Sequence, residues 1–296
     1  MSLWFGVGTA LIVGALAGVF AGRLFFGLRQ TPLRLEGGKM IQVYKIPISK
    51  DKLGAMPERE RALLILLGYA ANQINFFSKL VIFSTNKDGE TELEQQLSAA
   101  QSQMALRVVV GALNEAWMLV TTRSMGKPYA KEYTPLLDQQ GAEAFVRLKK
   151  FFGKGGLFAE LRGTWIFHRP DNPELNAAFA DAASNPQWDK DWNWFFSHSN
   201  YNSFYFLSEF VVLHGILKAL GERDLLVGQG KLTKQITAVS EDMSQFIMAL
   251  LAVLLKKYFG AEIMAETRIN IPNAAGMFDV WIPFFVEIPD PQPEAG

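Results

Sequence analysis

Apolar and polar positions divide the chain into an apolar N-terminal run, a long series of helical segments and a short alternating stretch near the C-terminus. Residues 3–22 carry no charge, and about 20 apolar residues are enough for an α-helix to cross a bilayer. Basic residues follow this run and none precedes it, a bias that keeps the following chain in the cytoplasm. The pattern predicts a single-pass transmembrane anchor over residues 1–29, in the inner membrane, with the remaining mass in the cytoplasm.

A cleaved signal peptide is the alternative interpretation of this run. Such a peptide has a basic stretch before its apolar part and a small-residue cleavage site after it, and neither is clear here, so retention or cleavage stays open. Gly14, Gly18 and Gly22 recur at four-residue spacing. This spacing is typical of a face along which two membrane helices approach closely, although glycine is also common in such helices.

Helical periodicity then predicts a bundle over residues 57–260. Seven segments carry the pattern: 62–83, 91–123, 141–152, 157–167, 173–183, 201–220 and 232–259. Residues 92–103 are polar and 104–120 are apolar, so we expect the first half of the second helix in solvent and its second half in the core. Pro128 and Pro135 interrupt the pattern. The apolar stretch 246–255 is too short to cross a bilayer and is interpreted as part of a core helix.

Alternating residues predict a small amount of β-structure. Residues 40–48 indicate a short strand within a juxtamembrane linker over 30–56. Residues 267–271 and 278–282 alternate on either side of a turn, which predicts a β-hairpin over 261–288 that pairs either with the strand near Val43 or with another chain. The proline-rich segment 289–296 is expected to be disordered. The predicted fold class is mainly α, a helical bundle with one N-terminal transmembrane helix and a small C-terminal β-hairpin.

The amino-acid composition excludes several kinds of binding and catalytic site. The 29 basic and 29 acidic residues cancel, so any nucleic-acid binding must come from a local patch. Cysteine is absent, which excludes disulfides, thiolate catalysis and cysteine-ligated metals. The three histidines lack the spacing of a metal site. We therefore predict no metal and no cofactor.

Arg162 and His168 lie six positions apart, and Arg169-Pro170 then discourages the helix from continuing. At a helix C-terminus the imidazolium is favoured, so the charge of His168 could change near working pH. The guanidinium of Arg162 could bind a phosphate while His168 exchanges the proton of a 2′-hydroxyl. On an ideal helix the two side chains point roughly 120° apart, so one helix alone presents them poorly. A two-fold dimer could bring two such pairs into one cleft.

A structural role is the alternative for the same two residues. Arg162 would then pair with a carboxylate such as Glu160 or Asp171, and His168 would cap a helix end. The sequence leaves both interpretations open.

The R-x5-H pattern of Arg162 and His168, with the aromatic-rich segment 197–212, resembles the HEPN superfamily. The resemblance spans residues 57–220 in outline. It implies a helical bundle that forms a homodimer and acts as a bacterial, metal-independent endoribonuclease of the phage-defence or toxin–antitoxin type, with Arg162 and His168 catalytic. Active members commonly have a polar residue after the arginine, whereas this chain has Gly163. The alternative is a non-catalytic, membrane-anchored scaffold that dimerises and binds a protein partner.

Further residues could contribute to such a site. The predicted RNA-binding residues are Lys149, Lys150, Lys154 and Arg169, although a solvated face explains most basic runs. His198 and Asn202 are predicted accessory residues, with a satisfied loop histidine as the alternative for His198. His214 lies in an apolar helix and is expected in the core. The aromatic residues of segment 188–196 could stack on bases, but filling a core or a dimer interface is preferred.

Overall fold

A computed structural model describes residues 34–35, 38–84, 91–122, 127–153, 157–166, 168–186, 192–196, 202–260, 267–277 and 279–287. The predicted transmembrane anchor with its glycine face, the predicted disordered tail, Lys154 and His198 lie outside these residues. The predicted mainly helical fold is confirmed in the part of the chain that the structure describes.

Nine α-helices occur among the described residues: α1 (Lys50–Ala55), α2 (Glu58–Phe83), α3 (Glu92–Thr121), α4 (Lys127–Tyr133), α5 (Gln139–Phe151), α6 (Leu157–Leu161), α7 (Asn172–Ala183), α8 (Phe206–Ala219) and α9 (Leu225–Phe259). A 3₁₀ turn over Thr134–Leu136 follows α4, and a π-helical turn over Arg162–Ile166 follows α6. The short strands are β1 (Arg34–Leu35), β2 (Gly38–Lys39), β3 (Ile41–Lys45), β4 (Trp194–Phe195), β5 (Phe204–Tyr205) and β6 (Thr267–Ile271).

Local capping explains where several helices begin. Thr91 and Glu94 form a reciprocal capping box at the start of α3, in which each side chain accepts a hydrogen bond from the other residue's backbone N–H. The Asp138 carboxylate accepts from Gly141 N–H at the start of α5, and Asp224 accepts from Val227 N–H at the start of α9. These bonds satisfy backbone donors that have no partner within the helix.

The main core lies between α2, α3, α5 and α9. It contains fully buried side chains from each helix, including Leu67, Leu113, Leu148 and Phe246. Helices α5 and α9 approach so closely that a Cβ at Gly141 would lie 2.2 Å from the Cβ of Ala249. Glycine is therefore required at this contact.

A second cluster joins the start of α3 to α7, α8 and the C-terminal segment. Leu97 of α3 is 3% exposed and packs with Ala178, Phe204 and Phe210. Ser102 of α3 is also fully buried. The expectation that the first half of this helix lies in solvent is therefore wrong, because a second core covers residues whose polar character suggested exposure.

Two helical segments, Leu93–Thr121 and Val227–Phe259, are long and apolar enough to cross a membrane. In their most apolar windows, 56% and 44% of the residues are buried inside the protein. This property is compatible with membrane association and is shared by the core helices of soluble bundles. The stretch 246–255 does lie in a core helix, where Phe246, Ile247 and Leu250 are buried.

The β-structure differs in part from the prediction. The strand near Val43 is confirmed as β3. Its pairing with the C-terminal strand, one of the two predicted alternatives, is also confirmed, because β3 pairs antiparallel with β6, with Ile41 opposite Ile271 and Val43 opposite Ile269. The predicted C-terminal hairpin is wrong, because residues 279–282 form no strand and the partner of β6 comes from the other end of the chain. Helix α1 within the predicted linker, helix α4 across the Pro128 region, and the antiparallel pairs β1–β2 and β4–β5 were not predicted.

Candidate functional site

The motif that carries Arg162 and His168 lies where a helix changes its geometry. Helix α6 ends at Leu161, the π-helical turn Arg162–Ile166 follows, and His168 comes two residues after that turn. The prediction of a helix over 157–167 ending near His168 is thus close, but its last turn is wider than an α-helical turn. Such π-turns occur frequently at functional sites.

Arg162 forms an ion pair with Glu115 of α3. Its Nη2 lies 2.7 Å from Glu115 Oε1, and the two side chains are 30% and 33% exposed. The Nε atom of Arg162 is buried and has no hydrogen-bond partner among the described residues. The arginine therefore has a carboxylate partner, as the structural alternative required, but that partner is Glu115 instead of Glu160 or Asp171. About a third of the arginine side chain remains open to solvent.

The π-turn is held against the bundle by Trp165. Its ring packs so tightly on α8 that a Cβ at Gly215 would lie 2.2 Å from Trp165 Cη2. Gly163, between the anchored ring and the arginine, is exposed and has open space around the position of a Cβ. The turn therefore has one anchored side and one open side.

His168 and Arg169 are exposed next to this turn. No hydrogen bond or ion pair joins Arg162 to His168 in the part of the chain that the structure describes. Lys149 and Lys150 are exposed on α5. The neighbouring Arg147 is bound instead to Asp242, with Nη2 2.8 Å from Oδ1, and this hydrogen bond raises the pKa of the arginine. Arg147 is thus bound to another helix of the protein, whereas Lys149 and Lys150 are exposed to solvent.

Asn202 holds the C-terminal segment. Its Nδ2 donates to the Val286 carbonyl at 2.6 Å, and its Oδ1 accepts from Val286 N–H at 3.0 Å. Both ends of the side-chain amide therefore have backbone partners that lie 84 positions away in the chain.

His214 is a core residue, as predicted, and is 5% exposed. Its Nδ1 lies 2.9 Å from the Phe210 carbonyl, and its Nε2 lies 2.9 Å from Nδ2 of Asn185. These partners fit a neutral ring that donates from Nδ1 and accepts at Nε2. Burial lowers the pKa of His214, against the smaller opposing effects of the Phe210 carbonyl and Asp181. The histidine is therefore held neutral.

The aromatic residues near position 195 divide between the two sides of the β4–β5 pair. Phe195 stacks on the buried Phe204, with ring centroids 6.2 Å apart, and so fills the second core. Trp194, Phe196 and Tyr205 are 56%, 62% and 48% exposed. The preferred interpretation as core residues is correct for one side of this pair, while the other side presents aromatic rings to solvent.

The sequence prediction missed a polar cluster formed by Glu60, Tyr133, Lys257 and Tyr258. Lys257 Nζ lies 2.8 Å from the Tyr133 hydroxyl and 3.2 Å from Glu60 Oε1, and the Tyr258 hydroxyl donates to Glu60 Oε2. Burial acts to raise the pKa of Glu60, but the hydrogen bonds of Tyr258, Tyr133 and Lys257 together lower it. Glu60 and Lys257 are 197 positions apart, so no local pattern could have indicated the cluster.

Among the described residues, no group of three or more histidine, aspartate or glutamate side chains could hold a metal ion. Comparison with protein-family models, curated proteins and solved structures gives no match to this chain. The resemblance to the HEPN superfamily therefore rests on the R-x5-H motif and the aromatic segment that follows it.

Proposed function

We propose that this protein is a membrane-tethered, HEPN-like endoribonuclease that acts without metal as a homodimer, with Arg162 and His168 as catalytic residues. The observation that supports it is the position of the motif. Arg162 reaches solvent at an open turn beside Gly163, and His168 is exposed two residues after the turn. A reaction on a large polymer requires catalytic groups that solvent and substrate can reach.

The chemistry follows from the two side chains. His168 is exposed and can accept the proton of an attacking 2′-hydroxyl or return one to the leaving oxygen. Arg162 is oriented by Glu115 and can place the open part of its guanidinium against a phosphate oxygen, where it opposes developing negative charge. Lys149, Lys150 and Arg169 are exposed and would contact neighbouring phosphates. Lys154 and His198 remain predicted contributors to the same surface.

The second candidate is a non-catalytic scaffold that dimerises at the membrane and binds a protein partner. The ion pair of Arg162 with Glu115 favours it, because this guanidinium already has a carboxylate partner. In this case the substitution Arg162→Ala affects only the fold and the partner, and no RNA is cut.

Cleavage of a mixed RNA pool by the full chain in detergent, with chelator present, separates the two candidates. We expect His168→Ala to lower the rate by roughly 10²–10⁴-fold, the usual contribution of a general acid or base. Arg162→Ala should also abolish most of the cutting. Arg59→Ala, which removes an exposed arginine on α2, is the matched control and should leave the rate unchanged.

Cutting that survives both motif substitutions, or an unaltered protein that does not cut, would exclude the catalytic assignment and leave the scaffold. The tether is tested separately. If residues 1–29 cross the inner membrane once with the bundle in the cytoplasm, the full chain should stay with membranes at alkaline pH. In right-side-out spheroplasts, the bundle should resist added protease.

A further inference from the structure

Strands β3 and β6 form a two-stranded ribbon with one apolar face. Ile41 lies opposite Ile271 and Val43 lies opposite Ile269. Because side chains alternate along a strand, these four β-branched residues share one face of the ribbon. They are 49%, 40%, 37% and 39% exposed in that order. The apolar face is therefore open to its surroundings.

The opposite face of the ribbon is polar, and its residues contact each other. Gln42 donates to Asn270 at 3.5 Å, and the Arg268 guanidinium lies 5.8 Å from the centre of the Tyr44 ring. No residue of the ribbon is fully buried. An isolated two-stranded ribbon is marginally stable in water, and an exposed apolar face of this kind marks an interaction surface. The apolar face of the ribbon is thus able to bind another surface.

The chain that leads into the ribbon indicates what that surface is. Only 18 residues, 23–40, separate the end of the apolar run at Gly22 from Ile41. Between residues 23 and 45 there are five basic residues and one acidic residue: Arg23, Arg29, Arg34, Lys39, Lys45 and Glu36. The excess of four positive charges, five minus one, complements the anionic lipids of a cytoplasmic leaflet. With residues 3–22 in the membrane, as proposed, an anionic bilayer surface lies within 18 residues of the ribbon and is opposite in charge to the segment that leads into it.

We propose that the apolar face of the β3–β6 ribbon docks into the interfacial layer of an anionic bilayer. This inference rests on the proposed membrane tether, and it does not depend on any reaction with RNA. Ile41, Val43, Ile269 and Ile271 enter the boundary between head groups and acyl chains. Lys45, at the end of the same face, lays its stem along this boundary and keeps its ammonium among the lipid phosphates. Docking fixes the height and orientation of the bundle above the membrane.

The absence of cysteine in the chain allows a direct test. Single-cysteine variants Val43→Cys and Ile269→Cys of the full chain are labelled with an environment-sensitive fluorophore and reconstituted into phosphatidylglycerol-containing vesicles. The matched controls are Gln42→Cys, on the polar face of the same ribbon, and Val146→Cys, an exposed site on α5. Lipids with bromine in the upper acyl chain then report contact by quenching.

The proposal expects labels at positions 43 and 269 to be blue-shifted and quenched, with labels at 42 and 146 unaffected. Vesicles of phosphatidylcholine alone should give weaker quenching. Lys45→Ala should lower the ratio of inserted to free ribbon roughly fivefold, the equivalent of about 1 kcal/mol for one basic residue at an anionic surface.

Four outcomes would overturn the proposal. Unquenched labels at 43 and 269 on protein that still floats with vesicles would exclude ribbon docking and leave the tether intact. Equal quenching of labels at positions 42 and 43 would exclude the proposed orientation, in which the apolar face of the ribbon points towards the bilayer. A blue shift that vanishes when the protein is diluted in lipid, without bromine quenching, would show that a second copy covers the face. Protein that fails to float would overturn the tether and with it this inference, whereas RNA cutting is measured independently in detergent.

Discussion

Two groups of charged side chains in this protein differ in how completely the fold encloses them. In the cluster of Glu60, Tyr133, Lys257 and Tyr258, the carboxylate is 6% exposed and receives hydrogen bonds from the lysine and from Tyr258. At the motif, Arg162 Nη2 lies 2.7 Å from Glu115 Oε1, and both side chains are about one-third exposed. We call the first group the closed cluster because its shared carboxylate is buried, although Lys257 is 41% exposed, and the second the open motif because both of its side chains reach solvent.

A cluster with shifted pKa values is therefore not, for that reason alone, the functional site of this protein. Among the described residues, the closed cluster holds the groups with the largest pKa shifts. Burial and Glu60 raise the pKa of Tyr133, and the hydrogen bond with Tyr133 raises the pKa of Lys257. The Glu60 carboxylate accepts its hydrogen bonds from other side chains of the protein, so the network joins the start of α2 to the end of α9. Shifted pKa values also arise in structural networks. At the open motif, about a third of the Arg162 side chain stays accessible, as the proposed phosphate contact requires.

The largest effect is expected from opening the closed cluster. Glu60→Ala removes the carboxylate that Lys257 and Tyr258 share. Because Lys257 is 41% exposed and regains some water, we expect a loss of about 2–3 kcal/mol, less than for a fully buried pair. Denaturant unfolding of the full chain in detergent measures it. Glu58→Ala, an exposed carboxylate in the same helical turn, should cost much less, and equal losses would show that the cluster is not structural.

The support of the open motif is tested at Gly215. In Gly215→Ala the new Cβ meets the Trp165 ring at 2.2 Å, so the ring and the π-turn must shift. We expect a loss of about 1–3 kcal/mol, typical of overpacking. Gly230→Ala is the matched control, because it lies in α9 with nothing near the added Cβ, and it should stabilise the helix by up to about 1 kcal/mol. A neutral Gly215→Ala would mean that Trp165 does not anchor the turn.

Acid should weaken the closed cluster by protonating Glu60. The pKa of Glu60 in the folded protein is below its ordinary value of 4.5, so the unfolded chain binds the proton at higher pH than the folded chain. The stabilising contribution is therefore complete above pH 4.5 and is lost as the pH falls through the folded pKa. Unfolding free energies measured against pH should show a smaller decline in Glu60→Gln. An unchanged decline would assign the acid sensitivity to other carboxylates.

The smallest effect on stability is expected at the motif itself. Arg162→Ala should cost at most about 1 kcal/mol, because an ion pair that is one-third exposed contributes little. Arg107→Ala is a useful comparison, since Arg107 lies 2.6 Å from Glu209 and these side chains are only 16% and 25% exposed. Thermal unfolding should therefore rank Arg107→Ala as the more damaging change. A larger loss of stability for Arg162→Ala than for Arg107→Ala would favour the structural interpretation of the motif.

Local signals account for the parts of the fold that were predicted well. Periodic apolar residues and end signals place α2, α3 and α5 within a few residues of their observed bounds. Alternation over residues 40–48 and 267–271 predicted both strands of the ribbon. The prolines at 128 and 135 were less informative, because Pro128 lies in the first turn of α4, where proline is tolerated.

The candidate site was predicted only in part. The pattern R-x5-H identified Arg162 and His168, and the weak helix signal before Pro170 placed His168 near the end of a helical segment. The partner of Arg162 was sought within ten residues, whereas Glu115 comes from another helix. Contacts of this kind depend on which helices become neighbours, and no local pattern encodes that choice.

The sequence by itself determined the helical character of residues 57–260, the absence of thiol chemistry and the motif that merits testing, because periodicity, composition and spacing are local properties. Only the tertiary structure decided that β6 pairs with β3, that Glu115 orients Arg162, and that Glu60 meets Lys257. These pairings join positions far apart in the chain. Their free energy comes from burial and hydrogen bonds that exist only once the helices have packed.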